Sequence, residues 1–222
     1  MKSNFQYFKW TLLVCFTTMF FSCASIPEYK DWGLKCNVKS YSEYHYRSEK
    51  EEDENIKFYG HNQVVFNKKG IWKGQTYYQN GKELPIRKKG KVSERRYYDA
   101  DGKLTNTTKI NYVSDNQIDF ELFNSDGEKT NYLTHILKNG KIITQTNTSI
   151  RNGIENLVYT AIYEYDKDEN LITQKITYSN GNTHIFKTEY LEFDSKKNWI
   201  KKLNFTDDEK GGLVTIREIE YH

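Results

Sequence analysis

The residue types that most often perform catalysis occur in this chain, but their spacing matches no catalytic motif. The five histidines are scattered, at His45, His61, His135, His184 and His222. The sequence contains no Gly-x-Ser-x-Gly nucleophile turn, no His-Glu-x-x-His helix, no phosphate loop and no dinucleotide fingerprint. Any metal site would have to be assembled wholly by folding. The sequence therefore predicts no catalytic residue, no metal and no cofactor.

Acidic residues are numerous enough that a glycoside hydrolase stays a possible interpretation. Thirty Asp and Glu residues could supply the carboxylate pair of a glycoside hydrolase, although a carboxylate on a polar strand face is usually only solvated. The one conspicuous charge run, residues 49–54, lacks the Asp-x-Asp-x-Asp-Gly spacing of a calcium loop. We interpret this run as a solvated loop. A glycan-acting hydrolase with an acidic pair stays as an alternative.

Aromatic residues are the remaining candidates for binding. The chain has 18 tyrosines and 4 tryptophans, and exposed rings of both types stack on sugars or anchor protein partners. Neighbouring residues on a strand point to opposite faces, so one ring of each tyrosine doublet should be buried and the other exposed. The candidate surface-binding residues are Trp72, Tyr77, Tyr78, Tyr97 and Tyr98.

Turns indicate which elements would position these residues. Signals such as Asn80-Gly81 and Asn139-Gly140 recur from about residue 60 onward, mostly 9 to 13 residues apart. Each interval has room for one short strand, and Thr, Tyr, Ile and Val dominate the intervals. The sequence predicts an all-β fold, an antiparallel meander of about 11–13 hairpin-linked strands. An open twisted sheet is favoured, with a barrel or sandwich as the alternative.

Three segments share a pattern of an aromatic residue, an acid, a short turn and then an apolar residue; they span 97–104, 163–172 and 190–202. They resemble tyrosine-aspartate (YD, RHS-type) repeats, and the third is similar to the Tyr-Asp-x-x-Gly-Asn-Trp-x-Lys variant common in exported proteins of Bacteroidetes. Lys197 stands where that family usually has glycine. The resemblance implies a scaffold of stacked hairpins over about residues 60–222, with Asp capping each turn and a left-handed residue within it.

The N-terminus predicts where the protein works. Lys2 and Lys9 precede an apolar run at residues 10–21, which is shorter than the ~20 residues of a membrane-spanning helix and suits a secretory signal. Ser22-Cys23 at its end resembles a bacterial lipoprotein signal, although Phe20 and Phe21 depart from the usual pattern. That resemblance implies export, with a lipid on Cys23 anchoring the chain to the outer membrane or cell envelope. An ordinary cleaved signal or an uncleaved anchor stays open.

Three regions follow from this division. We expect a signal peptide at 1–22, a membrane tether at 23–40 and a single β-repeat domain at 41–222. Cys36 is then the one cysteine near the domain, so we expect no intrachain disulfide and an inert thiol. The whole chain has a net charge of +3, and its acids and bases are interspersed rather than arranged in a basic stripe. We therefore expect no nucleic-acid partner.

The function that these features favour is non-enzymatic. We expect a membrane-anchored β module that binds an envelope or extracellular partner, either a protein or a glycan. Two alternatives stay open: the glycan-acting hydrolase, and an immunity-type lipoprotein that neutralises a toxin.

Lipidation can be tested directly. Labelled palmitate should enter the wild-type protein and should not enter Cys23→Ala, because that thiol is the predicted acceptor. Cys36→Ala is the control and should be labelled like the wild type. Label that persists in Cys23→Ala would contradict the lipoprotein interpretation.

Overall fold

The computed structural model describes residues 34–48, 57–77, 81–206 and 212–222. The predicted signal segment, Cys23, the acidic run and Tyr78 all lie outside these ranges. Fourteen strands are described: β1 (Val38–Ser48), β2 (Lys57–Phe66), β3 (Trp72–Tyr77), β4 (Lys82–Lys88), β5 (Lys91–Tyr98), β6 (Leu104–Ser114), β7 (Gln117–Asn124), β8 (Lys129–Lys138), β9 (Lys141–Arg151), β10 (Ile154–Tyr165), β11 (Leu171–Tyr178), β12 (Thr183–Phe193), β13 (Trp199–Thr206) and β14 (Gly212–Tyr221).

The strands form a closed barrel. Each strand pairs antiparallel with its neighbours in sequence, and β1 pairs with β14 from Val38 opposite Tyr221 to Ser48 opposite Gly212. The all-β antiparallel meander is confirmed, but the open sheet favoured from sequence is wrong, and the strands number more than the expected 11–13. Turn signals define local hairpins and carry no information on whether the first and last strands meet. Closure satisfies the backbone groups that two sheet edges would expose.

Two kinds of turn join the strands. Tight two-residue turns have both residues at positive φ, as in Asn139-Gly140 and Asn152-Gly153, which is the geometry that matches strand twist. Five longer turns share another geometry, in which a side-chain oxygen accepts hydrogen bonds from the amides two and four residues later. These capping residues are Asn67, Asp99, Asn124, Asp166 and Asp194. The structure therefore has the side-chain caps that the sequence pattern predicts.

Burial alternates along the strands and distinguishes the inside of the barrel from its outside. In β14, Thr215 and Arg217 are buried, whereas Ile216 and Glu218 are exposed. Paired residues on neighbouring strands share a face, so the alternation of inward and outward side chains can be followed from strand to strand around the barrel. Eight strands enclose a space that side chains just fill and sixteen leave a water channel, so fourteen strands leave a lumen of intermediate width.

The apolar core lies at one end of the barrel rather than along its axis. At this end, which we call the closed end, β1 begins and β14 finishes. The core consists of Leu34, Val38, Tyr41, Val64, Phe66 and Trp72, with Val92, Ile219 and Tyr221 packed against it. Leu34 and Val38 belong to the segment expected to be a tether, so the folded domain begins before residue 41. Trp72 is 3% exposed, which corrects its assignment as a surface-binding residue.

Asn198 holds the segment before β1 across the closed end. Its side chain accepts a hydrogen bond from the Lys35 amide (2.6 Å) and donates to the Lys35 carbonyl (3.0 Å) and to the Tyr221 hydroxyl (2.7 Å). Tyr221 in turn donates to Asp194, the cap of the same turn. Asn198 is 1% exposed. One amide side chain therefore joins the chain's entry into the barrel to the β12–β13 turn.

Within the described ranges, no helix is long and apolar enough to cross a bilayer.

The Asn198 contacts predict an unequal effect of two matched substitutions. Asn198→Ala removes the three hydrogen bonds of this side chain to the Lys35 amide, the Lys35 carbonyl and the Tyr221 hydroxyl, at about 0.5–1.5 kcal/mol each, so we expect the unfolding free energy to fall by about 3 kcal/mol. Asn170 occupies the same position of the β10–β11 turn, where its side chain bonds only Asp166; Asn170→Ala should cost less than about 1 kcal/mol. Urea unfolding measures both, and equal losses would contradict this role.

Candidate functional site

The lumen wall contains most of the described tyrosines that the sequence proposed for binding. Tyr77 and Tyr97 both point inward, where they meet the side chain of Glu83. Tyr98 lies on the outward face near Arg96. Tyr97 and Tyr98 therefore point to opposite faces, but both are half-buried, so the expected division into one buried and one exposed ring is not seen.

Glu83 organises one cluster on this wall. It is 3% exposed, accepts a hydrogen bond from the Tyr77 hydroxyl, and lies 3.5 Å from the Arg95 guanidinium. Burial and the neighbouring Glu83 carboxylate raise the pKa of Tyr77 and of Tyr97. Gly74 makes room here, since a Cβ on it would lie 2.9 Å from the Glu83 carbonyl oxygen. This carboxylate is held by an arginine and surrounded by neutral phenols.

A second cluster, which we call the Arg217 cluster, consists of Glu43, Trp199, Lys202 and Arg217. Glu43 Oε1 accepts hydrogen bonds from Arg217 Nη2 (2.6 Å) and Nε (3.1 Å). The guanidinium carbon of Arg217 lies 3.5 Å from the centre of the Trp199 ring, and Lys202 Nζ lies 4.5 Å from the same ring centre. Burial lowers the pKa of Lys202; Glu43 opposes this shift and Arg217 adds to it. Two cations therefore contact a single indole ring, and one carboxylate is paired with one of these cations.

A cleft of about 390 Å³ adjoins the Arg217 cluster between β1, β2 and β3. His45 lies in its wall, with Nδ1 3.2 Å from the Thr215 hydroxyl and Nε2 3.0 Å from Asn62 Oδ1. The lining residues are Glu43, His45, Tyr59, Gly60, His61, Asn62, Gln75 and Tyr77. The cleft therefore brings aromatic, amide and imidazole groups together beside one carboxylate.

A network of amides and phenols covers the opposite part of the wall. Gln145 Nε2 donates to the Tyr159 hydroxyl (2.6 Å), and the Tyr163 hydroxyl donates to Gln145 Oε1 (3.0 Å). Gln174 Nε2 donates to the Tyr163 hydroxyl (3.1 Å). We call these four residues the amide–tyrosine network. All four side chains lie on the same inward face of the sheet as buried Ala161 and are partly exposed. Water in the lumen therefore reaches them.

Further rings extend the network towards the β11–β12 turn. Tyr178 packs edge-on against Tyr159 with ring centres 6.2 Å apart, and against His184 at 5.8 Å. On the other side, His135 lies 4.6 Å from the Phe120 ring, and burial lowers its pKa. No motif in the sequence singled out these residues. The tyrosine alternation in β10 was a usable signal, whereas the glutamines had none.

The structure also bears on metal binding and acid catalysis. The described ranges contain no group of three or more metal-binding side chains. Two inward acids are buried or nearly so, Glu43 and Glu83, and each is engaged by an arginine. They lie on β1 and β4, three strands apart, or ~14 Å between backbones at the usual strand spacing. Glycosidase carboxyl groups lie about 5–9.5 Å apart.

Comparisons with known proteins bear on the fold. No protein-family model and no curated protein matches the chain. Among solved structures, the chain is similar to a porin-like protein from Bacteroides uniformis ATCC 8492, with a TM-score of 0.52 and 8% identity over 84% of this chain and 98% of that chain. A LolA superfamily protein from Nitrosomonas europaea aligns at a TM-score of 0.35 and 7% identity, over 89% and 94%. The first likeness shows a shared fold alone, and the second is too weak to support an argument.

Tyrosine burial predicts how stability depends on alkaline pH. Burial raises the pKa of Tyr163 and Tyr190 to about 12, above the ~10 of an unfolded chain. A pKa raised by folding stabilises the protein fully below about pH 10, and this contribution is lost as pH rises to about 12. Urea unfolding across this range should show a shallower decline in Tyr163→Phe than in the parent. Tyr59→Phe changes a ring that is 69% exposed and should keep the parent slope; a slope unchanged in Tyr163→Phe would contradict the assignment.

Proposed function

We propose that the protein is an exported barrel, anchored through a lipid on Cys23, that binds a hydroxyl-rich glycan in its lumen without cleaving it. The observation that carries this proposal is the amide–tyrosine network. It presents phenol rings, phenol hydroxyls and carboxamides on an inward wall that water reaches. The sequence pattern favoured exposed aromatic residues between Trp72 and Tyr98 for binding, whereas this proposal rests on Tyr159 and Tyr163 inside the barrel.

The chemistry of the network suits sugars. Sugar rings have an apolar C–H face that packs on aromatic rings and hydroxyls that both donate and accept hydrogen bonds. Gln145 and Gln174 each offer amide donors and a carbonyl acceptor. Because the Tyr159 hydroxyl already accepts from Gln145, its own proton is directed to another acceptor. A hydroxyl-rich ligand can satisfy every one of these groups.

A purely apolar ligand suits this wall poorly. An acyl chain would cover the phenols and amides of the network without bonding to them, and each unsatisfied buried polar group costs about 1–3 kcal/mol. Ring contacts alone would not repay several such losses. The lining therefore favours a polar ligand over a lipid tail.

The outward face supports a barrel that stands in water. Lys175, Lys187 and Glu189 are exposed near the middle of β11 and β12 on the outward phase. A lysine on the lipid face of a membrane barrel costs about 2–4 kcal/mol at the bilayer midplane. Although the structural neighbour is named porin-like, we therefore assign membrane attachment to the lipid on Cys23 rather than to the strands.

Binding is better supported than hydrolysis. A glycosidase needs two carboxyl groups that are free to act on the glycosidic bond. Both inward acids are instead paired with an arginine, Glu43 with Arg217 and Glu83 with Arg95. Their separation across three strands is a second argument against a catalytic pair.

Calorimetry against neutral hexasaccharides tests the proposal, with maltohexaose, cellohexaose, xylohexaose and mannohexaose as probes. At least one should bind saturably, and Tyr159→Ala and Gln145→Ala should each weaken that binding about tenfold, or ~1.4 kcal/mol. Tyr98→Ala removes an outward ring and is the matched control, which should bind like the parent.

Chromatography of the same mixtures should show intact hexasaccharide after prolonged incubation. Shortened products that disappear in Glu43→Gln or Glu83→Gln would establish the hydrolase instead. Absence of saturable binding of these probes and of hexagalacturonate, or an equal loss in Tyr98→Ala, would overturn lumen binding of glycans.

A further inference from the structure

The Arg217 cluster contains more positive than negative charge. Arg217 uses Nε and Nη2 on the same oxygen of Glu43, so this carboxylate is largely committed to one cation. Lys202 contacts the Trp199 ring, and among the described residues no carboxylate lies within ion-pairing distance of its ammonium. The cluster therefore has one cation in excess on an inward wall.

Arg217 also has an unused donor. Its side chain is 4% exposed, and Nη1 is buried without a hydrogen-bond acceptor in the part of the chain that the structure describes. The guanidinium is fixed by Glu43 on one edge and by the Trp199 and Tyr41 rings, 3.5 and 4.5 Å from its carbon. Ring contacts stabilise a cation but supply no acceptor for this N–H group.

A buried cation and an unsatisfied N–H donor are both costly. Buried charges in proteins are normally paired, and unpaired polar groups lose their hydration without return. A guanidinium edge with a nearby ammonium is the combination that recognises carboxylate and phosphate oxygens. Burial lowers the pKa of Lys202, and a bound anion would offset that effect by favouring the charged amine.

We propose that the lumen contains a subsite for an oxyanion at Lys202 and Arg217, so that the bound glycan carries an acidic group. This inference deepens the proposed function and rests on it for the glycan part of the ligand. The shared chemistry is a carboxylate or phosphate oxygen that accepts from Arg217 Nη1 and pairs with Lys202 Nζ. Glu43 competes with the ligand for the same cations.

The experiment measures binding of two anions and a neutral sugar to the full-length protein. Glucuronate and inorganic phosphate are titrated by calorimetry and by tryptophan fluorescence, because Trp199 contacts both cationic groups. Glucose is the uncharged counterpart of glucuronate. Tighter glucuronate binding identifies a carboxylate ligand, and tighter phosphate binding identifies a phosphorylated one. Both anions should bind at least tenfold more tightly than glucose.

Three variants assign that binding to the subsite. Lys202→Met keeps the length of the side chain and removes the charge, so anion affinity should fall at least tenfold. Lys201→Met makes the same change at the next residue, which faces outward and pairs with Glu192 at 3.2 Å; it should bind like the parent. Glu43→Gln removes the competing carboxylate and should strengthen anion binding severalfold. Circular dichroism checks that each variant keeps its β structure.

Failure of the subsite and failure of glycan binding give different results. If neutral hexasaccharides bind while Lys202→Met and Lys201→Met bind anions equally, the subsite is refuted and the proposed function stands. If anion binding depends on Lys202 and neither the neutral hexasaccharides nor hexagalacturonate binds more tightly than glucuronate, the subsite stands and the glycan is refuted. Weaker anion binding in Glu43→Gln would also count against the subsite, because it would show that Glu43 assists the ligand instead of competing with it.

Discussion

Pairing of β1 with β14 is the interaction on which the rest of the structure depends. Without it, the same hairpins would form a sheet with two exposed edges and no enclosed side. The pairing runs along the whole of β1 and ends at Gly212. A Cβ on Gly212 would lie 2.7 Å from the Leu203 side chain and 2.8 Å from the Asn204 carbonyl, so the close approach of β13 and β14 here needs glycine. Closure is what gives the chain an inside and an outside.

Polar side chains line much of the inside of the barrel. The apolar cluster around Val38, Val64 and Trp72 lies at the closed end. Backbone hydrogen bonds between strands stabilise the rest of the barrel. A buried pair such as Glu43–Arg217 loses hydration that its attraction only partly restores, and apolar residues of similar size would often be as stable. The polar lining of the lumen is therefore not required for the stability of the barrel.

The sequence predicted the local structure well and the closed topology poorly. Asn-Gly and Asp-Gly pairs determine backbone angles within four residues, so the antiparallel meander could be read directly. Closure depends on contact between residues about 180 positions apart, as in Lys39 with Glu220, and no local pattern encodes it. The expected linker likewise contained Leu34 and Val38, whose burial depends on distant strands.

The candidate site was partly predictable for the same reason. Alternation of Tyr159 and Tyr163 showed that both lie on one face of a strand, but the sequence did not show that this face is internal. Gln145 and Gln174 acquire a role only because β9 and β11 flank β10 in register. In the sequence, Lys202 and Arg217 cannot be distinguished from ordinary surface charges on amphipathic strands, because only the closed barrel places them inside.

The route by which the chain enters the barrel has a mechanical consequence. Asn198 holds Lys35 at the closed end, so tension applied upstream of Lys35 would load these hydrogen bonds first and then β1. That strand is hydrogen-bonded on both sides, to β2 and to β14. Pulling along its axis loads two rows of bonds together in shear, rather than opening them one at a time. The seam that closes the barrel is therefore well suited to resist a force applied at the start of β1.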